Sequence, residues 1–402
     1  METKTVEALV SVGGRYVGQA PLFTVESPWW SEIGSVTRQL DELLGTPTMV
    51  LRLLETHDAD RMRGGRVLYH VQVESEPRPG VLDPRPRPDW PDLTKPHPLR
   101  STWAEVDGPR RLISWATGFI GEDTPAQVKS WNLSCLIQFA GAGAWAKATS
   151  RFCSVDADII QHVHRYDAAL APGVLAVDLD NRWSLLRHAP GIDCWEPDQA
   201  TVQDVVSRWV AVQAALAAEA DELNTPRMLP RDLPGELDSL LAGEAGTQLS
   251  AEELAGARQL TEDLPAIIDA LESSGLPNTL VHGDFHPGNW RSDGTNRLIV
   301  DWADSYVGHP AADIERLRVW LPVEKQDNAV STWTAAWRKH LPGSEPSRAL
   351  KPSTVIAELL GAVTYQRFLD NIEPSERIYH QGDPADCIRD AVIAAAALDQ
   401  VR

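Results

Sequence analysis

Cysteine is scarce and scattered. Cys135, Cys153, Cys194 and Cys387 form no CxxC pair and have no histidine at metal-ligand spacing, which argues against a disulfide framework or a zinc site. Positive charge is in deficit: 37 Lys and Arg face 57 Asp and Glu, for a net charge of −20. Such a surface repels phosphate backbones and anionic lipid, so nucleic acid and membrane are not expected partners, whereas a cationic small molecule would be attracted. No apolar run approaches the ~20 residues of a membrane span. The opening METKTVEALV has no apolar core of signal-peptide length. These absences together fit a reducing cytoplasm. No internal repeat is present either.

What is present is ordinary globular material, 43% hydrophobic and 23% charged, in a 402-residue chain long enough for two or three domains. The first stretch reads β-β-α-β-β. Ala8–Val12, Leu22–Val25 and Met49–Leu54 are short strand candidates. Ile33, Val36, Leu40 and Leu44 recur at helical spacing before Gly45 and Pro47 stop the helix. Val67, Tyr69, Val71 and Val73 alternate as in a half-buried strand. Pro77 to Pro98 then holds eight of the 29 prolines, including the run Pro84 to Pro88. Proline lacks the amide donor, so this stretch reads as an extended connection between two units. A second β-rich part follows. Leu133–Ala140 and Ala144–Thr149 flank Gly141-Ala142-Gly143, and Val174–Val177 and Trp183–Arg187 are further strands. From Asp198 the pattern is helical, with a capping box at Ser250 and Glu253 and later helices at Val330–His340, Val355–Leu369 and Ala385–Val401.

One short β segment interrupts the helices, and it carries the chemistry. Thr279-Leu280-Val281 runs into His282-Gly283-Asp284, Asn289 follows the aspartate by five positions, and Leu298-Ile299-Val300 ends at Asp301-Trp302. Phosphoryl transfer needs a carboxylate to orient an acceptor hydroxyl and take its proton, and oxygen ligands for a magnesium ion on the phosphates. Asp284 suits the first task; Asn289 and Asp301 suit the second. Protein kinases order the same three groups the same way, with Asp301-Trp302-Ala303 in the place of their Asp-Phe-Gly.

HGDFHPGN, then IVDW, then Gly308-His309-Pro310-Ala311-Ala312-Asp313 resembles the aminoglycoside phosphotransferase / choline kinase superfamily over roughly Thr279–Leu317. The resemblance implies an α+β, bilobal, protein-kinase-like fold. A β-rich N-lobe at 116–191 and a mostly helical C-lobe at 192–402 would follow a small α+β N-terminal cap at 1–115. It implies Asp284 as catalytic base, Asn289 and Asp301 as ligands of Mg²⁺, His282 as structural, and Asp313 as a brace accepting backbone hydrogen bonds from the catalytic loop. ATP or GTP would be the donor and a small hydroxylated molecule the acceptor.

On the nucleotide side, the expected strand lysine is Lys147, with Lys129 as its rival. Gly141-Ala142-Gly143-Ala144-Trp145-Ala146 mimics a dinucleotide fingerprint, but no helix follows it, so it reads as a turn between strands. The phosphate-covering loop is then Ser130 to Ser134, with the Ser134 hydroxyl toward phosphate, although it contains no glycine. The family usually pairs the lysine with a glutamate on the next helix; Phe152–Asp158 offers only Asp156 and Asp158. Backbone at Arg187, His188 and Ala189 would read the base. On the acceptor side, Asp304 reads equally as a substrate contact or a turn cap. Glu373 and Asp383 lie in a C-terminal stretch dense in polar and aromatic groups, suited to a polyhydroxylated acceptor or simply to a polar helix end. The cap is similar in layout to that of maltokinase and glucosamine kinase, which keeps a plain sugar acceptor beside an antibiotic one. A nucleotide-binding pseudokinase is the alternative from a different class. A protein kinase is disfavoured by HGD in place of HRD and by the lack of an activation segment between Asp301 and Gly308.

Overall fold

A computed structural model describes residues 3–59, 62–87 and 89–399. Pro88, which ends the proline run, and Val401, which ends the last expected helix, lie outside the described residues. The class is mixed α+β, with sheets in the N-terminal part and helices in the C-terminal part. The chain divides into two compact units. One comprises residues 1–151, 174–188 and 371–379; the other comprises 152–173, 189–370 and 380–402.

The first unit opens with β1 (Lys4–Val12), β2 (Arg15–Gln19), β3 (Phe23–Val25), α1 (Gly34–Leu44), β4 (Thr48–His57) and β5 (Arg66–Val73). The sheet order is β2-β1-β5-β4, with β1 and β5 parallel and β3 paired to β1. Alternation sorts its side chains between two faces. Val6, Ala8, Val10, Val67, Tyr69 and Val71 pack with Ile33, Val36, Leu40 and Leu44 of the α1 segment. Leu9, Leu54 and Leu68 on the opposite face pack with Leu93 and Trp90. β5 is therefore buried on both faces, not half-buried as its alternation suggests. The reason is that the proline-rich stretch lies over the sheet: Leu93 covers it, and Asp83 bridges to Gln19.

The unit continues with α2 (Gly108–Ile120), β6 (Pro125–Ser130), β7 (Ser134–Phe139), β8 (Ala144–Thr149), β9 (Val174–Asp178) and β10 (Trp183–Arg187). These strands form an antiparallel sheet in the order β6-β7-β8-β10-β9. The Gly141–Gly143 stretch is the turn between β7 and β8. α2 covers this sheet through Leu112 and Ala116, which pack with Ile137, Phe139, Ala146 and Leu185. Side chains stitch the edge strands of the two sheets together. Gln127 of β6 accepts from the Val50 amide at 2.8 Å and donates to the Val50 carbonyl at 2.8 Å, which satisfies both groups at the buried edge of β4.

The second unit contains α3 (Asp156–His164), β11 (Ile192–Asp193), α4 (Gln199–Leu216), α5 (Leu233–Ala242), α6 (Glu244–Thr247) and α7 (Ala251–Glu272). Then come β12 (Thr279–Val281), β13 (Trp290–Ser292), β14 (Arg297–Ile299) and β15 (Tyr306–Gly308). It closes with α8 (Ala311–Trp320), α9 (Val323–His340), α10 (Leu350–Asn371) and α11 (Asp383–Asp399). Asp198 caps α4 by accepting from the Thr201 amide at 2.7 Å. The α7 capping box is complete: Ser250 and Glu253 satisfy each other's backbone amides at 3.2 and 2.7 Å. Two small antiparallel sheets, β11-β13-β14 and β12-β15, carry the HGD and DW segments. No helix among the described residues is long and apolar enough to cross a membrane.

Candidate active site

The loop after β12 is shaped by its glycine and by one buried carboxylate. Gly283 has φ +83°, and a Cβ there would lie 2.2 Å from the Asp304 carbonyl oxygen, so only glycine fits without backbone movement. Asp313, on the first turn of α8 and buried, accepts from the amides of His282 at 3.0 Å and Gly283 at 3.1 Å. It also accepts from Trp209 Nε1 at 2.8 Å and Gln213 Nε2 at 3.0 Å. Burial pushes its carboxyl up to about 6, against the pull of those donors. His282 is buried as well, and burial lowers its pKa to about 4, so the ring is neutral near pH 7. Its Nδ1 accepts from the Asp284 amide at 3.3 Å, which leaves Nε2 to donate to the Val300 carbonyl at 3.1 Å. The bracing role expected for Asp313 and the structural role expected for His282 are both visible in these bonds.

Asp284 stands at the centre of a half-buried cluster. Asn289 Nδ2 donates to its carbonyl at 2.9 Å and to its Oδ2 at 3.0 Å. His286 Nδ1 accepts from the Gly288 amide at 3.0 Å, so Nε2 carries the proton and donates to Asp284 Oδ2 at 3.2 Å. Arg316, one turn after Asp313 on α8, places Nε and Nη2 at 3.0 and 2.7 Å from Asp284 Oδ1. Burial would raise this carboxyl, but the His286 hydrogen bond and the Arg316 charge outweigh it and hold the group well below the usual carboxylate range. Asp284 is thus held in its ionised form near neutral pH, as an acceptor of hydrogen bonds.

The Asp301 segment is tied to this loop through backbone. The Val300 amide donates to the Asn289 carbonyl at 2.8 Å, and Trp290 pairs with Ile299. Asp301 itself is exposed and adopts the left-handed conformation, φ 64° and ψ 65°. That conformation costs a non-glycine residue about 1–3 kcal/mol and marks a geometry imposed from outside. Part of the restraint is Asp156, at the start of α3, whose Oδ1 accepts from the Trp302 amide at 2.9 Å. Trp302 is sealed beneath, donating from Nε1 to the Ile299 carbonyl at 3.0 Å.

Asn289 spends its Nδ2 on Asp284, and its side-chain carbonyl and the Asp301 carboxylate are oxygen donors of the kind that magnesium takes. Among the described residues no three His, Cys, Asp or Glu gather as a self-sufficient metal cage. A pair of protein oxygens completed by phosphate and water is how this hard cation is usually held.

The other expected residues fall in different surroundings. In the first unit, Lys147 is buried on the central strand β8, paired across to Leu136 and Ser184. Its rival Lys129 is on the edge strand β6, with Nζ 5.1 Å from the Trp131 ring centre. Ser134 closes the β6–β7 turn, its Oγ accepting from Trp131 Nε1 at 3.0 Å. Arg187 ends β10; the His188 amide donates to the Gly143 carbonyl at 2.7 Å, and its ring Nδ1 accepts from Trp145 Nε1 at 3.0 Å. Ala189 begins the second unit. Also in the first unit, Glu373 is buried, and Arg100 binds both of its carboxylate oxygens. That is an internal ion pair and not an open contact for an acceptor. In the second unit, Asp304 is half-buried in the turn after Asp301, and Asp383 opens α11 with its Oδ2 3.5 Å from His380 Nδ1. Arg316 and the role of His286 escape a reading of the sequence. The only available signal for Arg316 is its place one turn after Asp313 on the same helix.

No curated protein matches the chain in sequence. The solved choline kinase LicA from Streptococcus pneumoniae is similar in fold, with a TM-score of 0.52 and 11% identity over 72% of this chain and 99% of that one. A choline/ethanolamine kinase family protein from Mesorhizobium loti matches at TM-score 0.46 and 16% identity, over 71% and 99% of the two chains. The macrolide 2'-phosphotransferase MphH from Brachybacterium faecium matches at 0.46 and 17%, over 69% and 97%. The model of the phosphotransferase enzyme family matches residues 144–350, just over half of the chain. The chain therefore belongs to the phosphotransferase enzyme family, with the α+β fold of protein-kinase-like small-molecule kinases, and transfers phosphate from a nucleotide to a hydroxyl acceptor.

Proposed function

We propose that the protein transfers the γ-phosphate of ATP or GTP, as its Mg²⁺ complex, to a hydroxyl of a sugar-containing small molecule. The observation that carries this reading is the cluster around Asp284, an ionised carboxylate fixed by Asn289, His286 and Arg316. Asp284 orients the acceptor hydroxyl and takes its proton as the oxygen attacks phosphorus. Asn289 and Asp301 would hold the metal, whose charge offsets that developing on the phosphates. Lys147 would take the α- and β-phosphates and Asp156 would stand in for the family's glutamate. Ser134 would meet phosphate, and backbone at Arg187 to Ala189 would read the base. Asp304 and Asp383 are the acceptor contacts this reading retains. Residues 116–191 would then serve the nucleotide and 192–402 the chemistry, with 1–115 as a cap. A nucleoside triphosphate donor puts the reaction in the cytoplasm.

The test is nucleoside diphosphate release with Mg-ATP or Mg-GTP against plain sugars, amino sugars, aminoglycosides and nucleoside antibiotics. Turnover on an acceptor of this class is expected, with Asp284→Ala losing it while still binding nucleotide. Full turnover in that variant would remove Asp284 from its role. Nucleotide binding with no turnover on any alcohol would leave a regulatory pseudokinase.

A further inference from the structure

Two tryptophans flank the Asp284 cluster without belonging to the core. Trp195 is 49% exposed and Trp320 is 42% exposed, whereas most large aromatics of this unit are sealed. Trp195 stacks on the His286 ring at 5.2 Å and 22°, and Trp320 meets the same ring at 5.2 Å and 34°. The two indoles lie 5.7 Å apart. His286 in turn donates to Asp284, so the open indole surface begins one hydrogen bond from the base.

The wall is built, not accidental. The Cys194 amide is shared between the carbonyls of Pro287 and Trp290, both at 3.1 Å, which pins the Trp195 loop to the catalytic loop. A Cβ at Gly288 would come within 2.3 Å of the Trp195 ring, so the indole rests directly on that glycine's backbone. Trp320 ends α8, the helix that also supplies Asp313 and Arg316.

We propose that Trp195, backed by His286 and edged by Trp320, is the platform on which a neutral sugar ring of the acceptor lies. This rests on the kinase reading above and names the acceptor subsite of that reaction. An exposed indole beside convergent polar groups suits a ligand with one apolar C–H face and hydroxyls at its rim. A quaternary ammonium or other simple cation is the competing occupant. The Arg316 guanidinium already lies over the Trp320 ring, 5.4 Å from its centre, so an internal cation takes that indole's cation-binding face. A ring stacked on the outer face of Trp195 would offer its rim hydroxyl to Asp284.

Saturation-transfer NMR on the full chain, with methyl β-glucoside, maltose and choline as probes, tests this without requiring turnover. The expected result is transfer to the axial ring protons of the sugars in the wild type. Binding should be about three- to tenfold weaker in Trp195→Ala and mostly restored in Trp195→Phe, which keeps a flat face. Contact limited to the choline methyls, no sugar contact in the wild type, or equal sugar contact in Trp195→Ala would overturn the platform. Diphosphate release from the same samples separates the two ideas. Sugar contact without transfer to any alcohol sinks the kinase reading alone; transfer to a hydroxyl with no ring contact at Trp195 sinks the platform alone.

Discussion

In the first unit Arg52, His70, Arg100, Glu373 and Glu376 are sealed from solvent, whereas in the second Asp284, Asn289 and Arg316 are only half-buried. The sealed group spreads its bonds through the fold. His70 binds Ser11 Oγ and Arg52, both at 2.9 Å; Arg52 reaches the Leu93 carbonyl at 2.9 Å; and Arg100 grips Glu373. Burial and the neighbouring arginines push His70 well below its ordinary pKa, so it stays neutral. The half-open group directs all its donors at one carboxylate. A buried charge that loses its partner keeps its desolvation cost, while a half-exposed one recovers water. The two clusters therefore differ in solvent access: one is sealed inside the fold and the other reaches water.

That contrast can be broken by substitution. Asp284→Ala should lower turnover by about 10²–10⁴-fold while changing stability by no more than about 1 kcal/mol. A large loss of stability would show that the half-open cluster is structural after all. Arg100→Met should do the reverse, costing about 3–5 kcal/mol in denaturant unfolding because buried Glu373 loses its two-pronged partner and keeps only Arg52, at 3.7 Å. Unchanged stability would mean that water reaches Glu373. Asp313→Asn is the informative hybrid. It sits in the second unit yet is sealed like the first, and the amide's own donor would face groups that all donate to Asp313. It should cost about 1–3 kcal/mol and also slow turnover, since the loop carrying Asp284 hangs from it. A variant losing only one of the two would separate bracing from folding.

The half-open cluster was largely legible because it is local. Asp284 and Asn289 lie within six residues, and the Val300–Asp301 strand end follows at hairpin distance. Arg316 was not legible, because its approach to Asp284 depends on how α8 packs. The sealed cluster was illegible for the same reason in stronger form. Glu373 reads as a polar helix end until Arg52 and Arg100, hundreds of residues earlier, fold over it. Element type followed local pattern where the pattern was strong, as in α1, β8 and the α7 capping box. β2, with glycine in a five-residue strand, escaped, and so did β6, which opens on proline and carries polar residues as an edge strand does. α2 left a usable trace, since its Leu112 and Ala116 are spaced for one helix face.

A pH profile sharpens the contrast most, because it asks whether the sealed cluster can respond to protons at all. Burial and the adjacent Glu373 raise the Glu376 carboxyl to about 8, against the pull of Arg52 and Arg100, and its Oε1 has no hydrogen-bond partner. Its unfolded value is that of an ordinary glutamate, 4.5. Between those two values the folded chain holds a proton that the unfolded chain has released, so stability falls as pH rises through that window and levels off above it. Glu376→Gln keeps the shape and removes the titration. Its stability should lie close to the wild type near pH 5 and exceed it increasingly as pH rises to 9. Parallel pH profiles would mean that the two arginines keep Glu376 ionised. The sealed cluster would then be a fully charged network that spends its electrostatics internally, and the distinction between the two regions would rest on solvent access alone.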